Sequence, residues 1–277
     1  MPLLRFLEVW LKAQTDYRLR TRRALRRAQG KLDGKSGETR KRCSPVSHVS
    51  PENMLHPWNL TPKEAIALQK RLASLVVLKP LPERITLVAG GDVGYSRRYK
   101  TAVAALATYT YPRLEFRELV QFSDEIAYPY MPGLLSFREL PLLLKTFQLL
   151  QEQPDVVLCD GQGVAHPRRL GLASHLGLWL DLSTVGCAKT RLVGTHGEVG
   201  PKKGQYRSLK HRHEQVGVVL RTRTKVKPLY VSPGHLADLE SSHRLVMRCC
   251  LKYRLPEPIR QAHLAVQRAV RGERTRY

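Results

Sequence analysis

Asp160 closes the apolar run Val156-Val-Leu-Cys159, and Gly161, Gly163, His166, Arg168 and Arg169 follow before the next apolar stretch. A carboxylate at the end of a buried strand is costly unless a cation sits on it. In a basic chain, a divalent metal that also holds a phosphate fits that place. Asp92 offers a second such carboxylate, delivered by Ile85–Ala89 through Gly90 and Gly91. Two or three carboxylates converging on a phosphodiester can hold two ions about 4 Å apart, one activating water and one stabilising the leaving oxygen. Glu139 lies in the first turns of a helix and suits the third place. An acid there is also what a helix dipole favours without any metal. Asp155 precedes its strand, after Pro154, and reads as a solvated turn residue.

Three further features border this chemistry. Lys189 follows the strand Thr184–Ala188 and is within reach of a phosphate; by itself it reads as a strand-end surface lysine. His166 follows Asp160 by six residues; alone, it reads as a structural hydrogen bonder. Tyr128-Pro-Tyr-Met-Pro-Gly-Leu-Leu135 is a loop stiffened by two prolines and tipped with aromatic and thioether groups. Such a tip either wedges between stacked bases or packs under the following helix.

The elements that must position these residues are legible from period and punctuation. Thr61-Pro-Lys-Glu64 is a helix start with a capping box and proline at the first helical position. That helix runs to about residue 76. Three strands follow, at 85–89, 101–111 and 114–122, with links tight enough for an antiparallel meander. A helix over 136–151, a strand over 156–159, a helix over 170–180 and a strand over 184–188 come next. Residues 194–213 read as a polar, basic loop. Residues 216–221 and 229–231 form a hairpin, and helices over 235–250 and 257–271 close the chain. Antiparallel strands followed by alternating strands and helices predict a mixed sheet flanked by helices. In a ribonuclease H-like arrangement of this α/β class, Asp92 on the first strand and Asp160 on the fourth occupy adjacent parallel strands.

Charge narrows the partner. The 277 residues carry 47 Lys and Arg against 23 Asp and Glu, a net charge of +24. Residues 1–42 hold 13 Lys or Arg and 4 Asp or Glu, so the excess is spread over the rest as well. That is the footprint of a protein that meets polyphosphate. No two of the five cysteines form a Cys-x-x-Cys pair, which gives a zinc site little support. Cys159 and Cys187 read as core residues. No apolar stretch approaches the roughly 20 residues of a membrane span, and no secretory leader is evident. These features predict a cytoplasmic protein with no membrane partner. Residues 1–53 form a basic, Gly/Ser/Lys-rich extension expected to be flexible, and 54–277 a catalytic domain.

From about His56 to about His263 the chain resembles the endonuclease V family, DNA repair nucleases acting at deaminated adenine. The resemblance rests on Ala89-Gly-Gly-Asp-Val-Gly-Tyr95, Pro129-Tyr-Met-Pro-Gly-Leu-Leu-Ser-Phe-Arg-Glu139, Asp160-Gly-Gln-Gly-Val-Ala-His-Pro-Arg168, Thr184-Val-Gly-Cys-Ala-Lys189, Gly234-His235 and Tyr253-Arg-Leu-Pro-Glu-Pro258. It implies a ribonuclease H-like fold and hydrolysis of the second phosphodiester 3′ to deoxyinosine, leaving 3′-hydroxyl and 5′-phosphate ends. It implies Mg2+, with Mn2+ as a substitute, on Asp92, Glu139 and Asp160. Lys189 would touch the phosphate near the cut and His263 would sit near the metals. Tyr130, Met131, Pro132 and Gly133 would form a DNA wedge. Leu135, Gly161, Gly163, His166 and His235 would lie at or near the pocket for a flipped base, the glycines letting the main chain approach that base. Damaged DNA, single or double stranded, is the expected partner of a monomer. Inosine-containing RNA is the alternative substrate, and a non-catalytic binding module is a reading from another class. Gln162 stands where relatives commonly have His, and Met131 where many have Ile; neither removes a ligand. Met54 directly precedes the segment at which relatives usually begin, so 1–53 is expected to be dispensable, or to reflect an upstream misassigned start.

Overall fold

The computed structural model describes residues 55–96, 101–126 and 128–272; the extension 1–53 lies outside the described residues. The first helix, α1 (Pro62–Ala73), carries the expected capping box: the Thr61 amide donates to Glu64 Oε2 at 2.7 Å, and Thr61 Oγ1 accepts from the Glu64 amide. It stops three residues before the expected end. There Ser74 Oγ donates to the Arg71 carbonyl, and the Leu75 and Val76 amides turn back onto Leu72 and Ala73.

One eight-stranded sheet organises the rest: β1 (Leu87–Ser96), β2 (Thr101–Thr110), β3 (Phe116–Glu125), β4 (Val156–Cys159), β5 (Ser183–Ala188), β6 (Tyr206–His211), β7 (Glu214–Leu220) and β8 (Leu229–Pro233), in the order β3-β2-β1-β4-β5-β8-β7-β6. β1, β4 and β5 are mutually parallel at the centre, and every other pairing is antiparallel. Helices α2 (Leu135–Phe147), α3 (Leu172–Leu180), α4 (Leu239–Cys249) and α5 (Glu257–Arg271) cover it. Side chains of a strand alternate between faces, and the cores follow. Val88, Val156 and Leu158 pack with Leu245 and Val246 of α4 and Ile259 and Ala262 of α5. Ala89, Val157 and Cys159 pack with Leu140 and Leu143 of α2 and Leu172 and Leu176 of α3.

Five expectations need correction. β1 does not stop at Ala89 but pairs with β2 through Ser96, so Asp92 lies within the strand, opposite Ala105. The glycines before it mark a close approach rather than a loop: a Cβ on Gly90 would meet main-chain atoms of Pro258 and Ile259 at 2.2 Å. The polar stretch 194–213 contains the edge strand β6, in which Leu209 alone is buried. Such a strand shows no apolar alternation, so its period was hidden. α4 starts at Leu239 rather than His235, because the Asp238 carboxylate caps it, accepting from the Ser241 amide at 2.8 Å. Asp155 is not a solvated turn residue: Oδ2 accepts from the Thr86 amide, the Thr86 hydroxyl and the Leu87 amide at 2.7–3.0 Å, clamping the start of β1 to that of β4. The helix α2 is shorter than expected, ending at Phe147, and runs through Pro141. Burial of Leu140, Leu142 and Leu143 outweighs the lost hydrogen bond there. Among the described residues, no helix is long and apolar enough to cross a membrane.

Candidate active site

The register places the two aspartates side by side. Gly91 is level with Cys159, and the Asp160 amide donates to the Gly91 carbonyl at 3.0 Å. Counting the alternation from Val88 and Val156 sends both carboxylates to the face covered by α5. There His263 meets them: its Nδ1 lies 2.7 Å from Asp92 Oδ2. Gln267, one turn on, approaches His263 Nε2 at 2.8 Å. With the Gln267 amide donating to Nε2, Nδ1–H is left to donate to Asp92. Lys189, at the end of β5, donates to Asp160 Oδ2. One ligand atom each from Asp92, Asp160 and His263 can be drawn within 4.8 Å of one another. A cleft of about 380 Å³ opens here, lined by Asp92, Tyr95, Lys189, His263 and Gln267 among others.

Glu139 comes from the other helix layer. It is 6% exposed and its Oε1 accepts from the Tyr95 hydroxyl at 2.9 Å. Burial, and then the nearby Asp92 and Asp160 carboxylates, push its own carboxyl up to about 8. Burial and Asp92 also raise Asp160, while Lys189 pulls the other way. Three carboxyl groups therefore share a partly dry site with one ammonium. Such a donor set fits a hard divalent cation, and an added positive charge would relieve the repulsion that raises Glu139 and Asp160.

The loop before α2 is held from behind. The Gly133 carbonyl lies within reach of three donors: Arg168 Nη2 at 2.6 Å, Gln69 Nε2 at 3.0 Å and His166 Nε2 at 3.1 Å. Arg168 Nε donates to Gln69 Oε1 at 2.5 Å, and the Arg168 amide donates to His166 Nδ1. These partners make His166 a neutral ring with the proton on Nε2. Burial and the adjacent Arg168 lower it to about 4. Gly133 itself sits at φ +76°, which favours glycine. Beyond this anchor Tyr130 is 69% exposed and Pro132 is exposed, while Met131 packs partly against the α1 cluster. Leu135 is half-buried at the first turn of α2.

The remaining expected residues take other places. A Cβ on Gly163 would meet the Pro233 carbonyl at 1.9 Å, and one on Gly161 would meet Leu172 at 3.1 Å. Both positions thus have internal packing reasons for glycine. Gln162 Nε2 donates to the Thr190 carbonyl at 3.0 Å. His235 does not join the acidic cluster. β8 runs antiparallel to β5, carrying His235 to the Ser183 end, whereas Lys189 follows the other end. Its Nδ1 accepts from the Val77 amide at 3.2 Å. Reading the sequence missed Tyr95, Gln69, Arg168 and Gln267 as supports. Only Gln267 left a local signal, four residues after His263 on one helix face.

Comparison with known proteins fits this geometry. The Endonuclease V family model matches residues 70–264. The chain belongs to the endonuclease V family. Endonuclease V of Dehalococcoides mccartyi (strain CBDB1) is 49% identical over 216 residues, covering 78% of this chain and 97% of that relative. The crystal structure of endonuclease V from Streptomyces avermitilis superposes with a TM-score of 0.74 at 38% identity, covering 78% of this chain and 95% of that one. A Ciona intestinalis endonuclease V, solved with a 23mer DNA containing an inosine followed by a ribo-adenosine, superposes at TM-score 0.69 and 28% identity, covering 77% and 99%. The protein is accordingly an endonuclease, a hydrolase acting on DNA, with the ribonuclease H-like fold of its family.

Proposed function

We propose that this endonuclease repairs deaminated DNA, hydrolysing the second phosphodiester 3′ to deoxyinosine with Mg2+, or Mn2+ in its place, and leaving 3′-hydroxyl and 5′-phosphate ends. The observation that carries the reading is the meeting of Asp92, Asp160 and His263, with Glu139 beside them, at one end of the sheet. Asp92 and Asp160 would hold the metal, and Glu139 would complete the acidic set. A divalent ion held there would supply water activation and charge for the departing oxygen. His263 keeps the Asp92 carboxylate oriented through Nδ1. Lys189 is placed to exchange Asp160 for a phosphate oxygen of the substrate. The exposed Tyr130, with Met131 and Pro132 on the anchored loop, suits a wedge beside the extruded base. His166 lies behind that loop, and with Leu135, Gly161 and Gly163 it would border the base. Four free thiols, at Cys159, Cys187, Cys249 and Cys250, fit a reducing compartment such as the cytoplasm.

A second reading, inosine in RNA, is favoured by the ribo-adenosine beside the inosine in the strand bound by the Ciona relative. The test pairs DNA and RNA strands, each with one inosine, with and without Mg2+, and maps the product ends. Metal-dependent cutting of the DNA at the displaced bond supports the proposal. Cutting of RNA alone would transfer the activity to the second reading, and no cutting of either would end both.

A further inference from the structure

The basic stretch 199–232 contains nine Lys or Arg and a single acid, Glu214. Glu214 lies at the far turn and is paired with Arg169. Lys210 and Arg212 flank the same turn, and the other seven cations lie towards the end of the sheet that carries the acidic cluster. Ala188, Tyr230, Val219 and Arg207 form one row across β5, β8, β7 and β6. Lys189 follows Ala188 in this row, so Arg207 sits three strand spacings from the site, roughly 14 Å. Two loops leave the sheet beside that row, at 199–205 and 221–228.

These loops are fixed to each other and to the site. Arg221 donates through Nε to the Gly200 carbonyl at 2.9 Å and through Nη2 to the Val199 carbonyl at 2.8 Å, and through Nη1 to Val226. The Lys225 amide donates to the Pro201 carbonyl at 2.9 Å, and the Gly204 amide to the Arg221 carbonyl at 2.8 Å. Arg254 Nη2 bridges the carbonyls of Lys189 and Pro228, at 2.7 Å to each. The result is a knitted platform from which Lys202, Arg207, Arg223, Lys225 and Lys227 project, all exposed. None of the five makes an ion pair, whereas Arg117, Lys145, Arg169, Arg244 and Arg260 elsewhere each hold a carboxylate.

We infer that this platform is a second contact surface for the sugar–phosphate backbone of the substrate, beginning about four nucleotides from the cut. The spacing follows from roughly 14 Å of sheet against about 3.4 Å per phosphate along each strand of a duplex. The contact reads charge and not sequence, because it offers flexible cations and no groove-filling element. It rests on the nuclease reading only in that the scissile phosphate is taken to lie at Lys189 and Asp160.

The test measures binding of a 30-base-pair inosine duplex in EDTA, so that nothing is cut, over a range of salt concentrations. The combined variant Arg207→Gln, Arg223→Gln and Lys227→Gln is compared, in the full chain, with Arg84→Gln, Arg113→Gln and Arg117→Gln at the opposite end of the sheet. Both remove three charges, and thermal melts confirm that both are folded. The platform variant should lose on the order of tenfold in affinity, and its log–log salt slope should fall by about 2 to 3. The control variant should move far less. Shortening the duplex to three pairs beyond the cut on one side, but not the other, should shrink the difference between the platform variant and the unaltered protein. Equal effects of the two variants, or a deficit insensitive to shortening from either side, would overturn the inference. Because the binding arm needs no cleavage, loss of the nuclease reading would leave this result standing, and the reverse holds too.

Discussion

Asp92 and Asp160 owe their shared direction to strand parity, and each is held by a cationic or imidazole partner, His263 and Lys189. Asp160→Ala should lower metal-dependent cleavage on the order of a thousandfold or more while binding persists. Comparing single-turnover rates with binding in EDTA checks this, and cleavage at the unaltered rate would refute the assignment. Glu139 makes a separate statement through pH. Its carboxyl ordinarily loses its proton near 4.5 and holds it to about 8 in the metal-free fold. The folded state thus binds the extra proton, so this stability is full below 4.5 and lost as pH rises through 8. Glu139→Gln should therefore melt higher than the unaltered protein at pH 8.5 in EDTA, by on the order of 5 °C, and much the same at pH 4.5. A gap that did not change with pH would contradict the buried, repelled carboxyl. The three acids were legible because each stands close to an apolar run of its own element. Tyr95 and Gln69 were not, since a hydroxyl or amide that braces another group looks like any half-buried polar residue.

Two braces act between elements. The first joins α1, the loop before α2 and the loop after β4 at the Gly133 carbonyl. Arg168→Ala removes the shortest of its donors and strands Gln69. Inosine cleavage should fall roughly tenfold or more through a raised KM and a reduced preference over undamaged strands, with Arg168→Lys restoring part of it; each buried charged hydrogen bond lost costs about 1.5–3 kcal/mol. Unchanged preference would mean that the loop needs no such anchor. The second brace is a chain of neutral rings. Ser136 Oγ lies 3.0 Å from His175 Nδ1, His175 Nε2 lies 2.7 Å from His56 Nε2, and Trp179 Nε1 donates to the same nitrogen. His56 Nδ1 in turn meets the Pro57 carbonyl. Burial lowers both histidines. Their contribution is present above the unfolded value of 6.5 and is lost as pH falls below it. Melts should fall on acidification from pH 7 to 5, and His175→Asn should flatten that slope while lowering stability at pH 7. The helix starts at Thr61 and Glu257 were legible from capping and proline signals. β6 was not, because an edge strand facing water has no apolar period to show.

Across the whole molecule the sheet divides two helix layers, and the candidate site draws on both. α2 brings Glu139 from one side and α5 brings His263 from the other, with the aspartates between them. The family match begins at residue 70, and α1 at Pro62. Removal of residues 1–53 should therefore leave the melting temperature within about 2 °C, since surface changes away from packing rarely exceed ~0.5 kcal/mol. Inosine cleavage should survive with it, and loss of either would give the extension a role in the fold. The topology was legible in order but not in extent, since the glycines that let α5 lie against β1 look like loop residues until the helix is in place. That seam also bears on how the protein is made. A nascent chain up to residue 256 already holds Asp92, Glu139, Asp160 and Lys189, yet lacks the helix that fills the Gly90 groove and supplies His263. The candidate centre is thus assembled only once α5 has been made and has docked on β1, so its completion is tied to the closing of that seam.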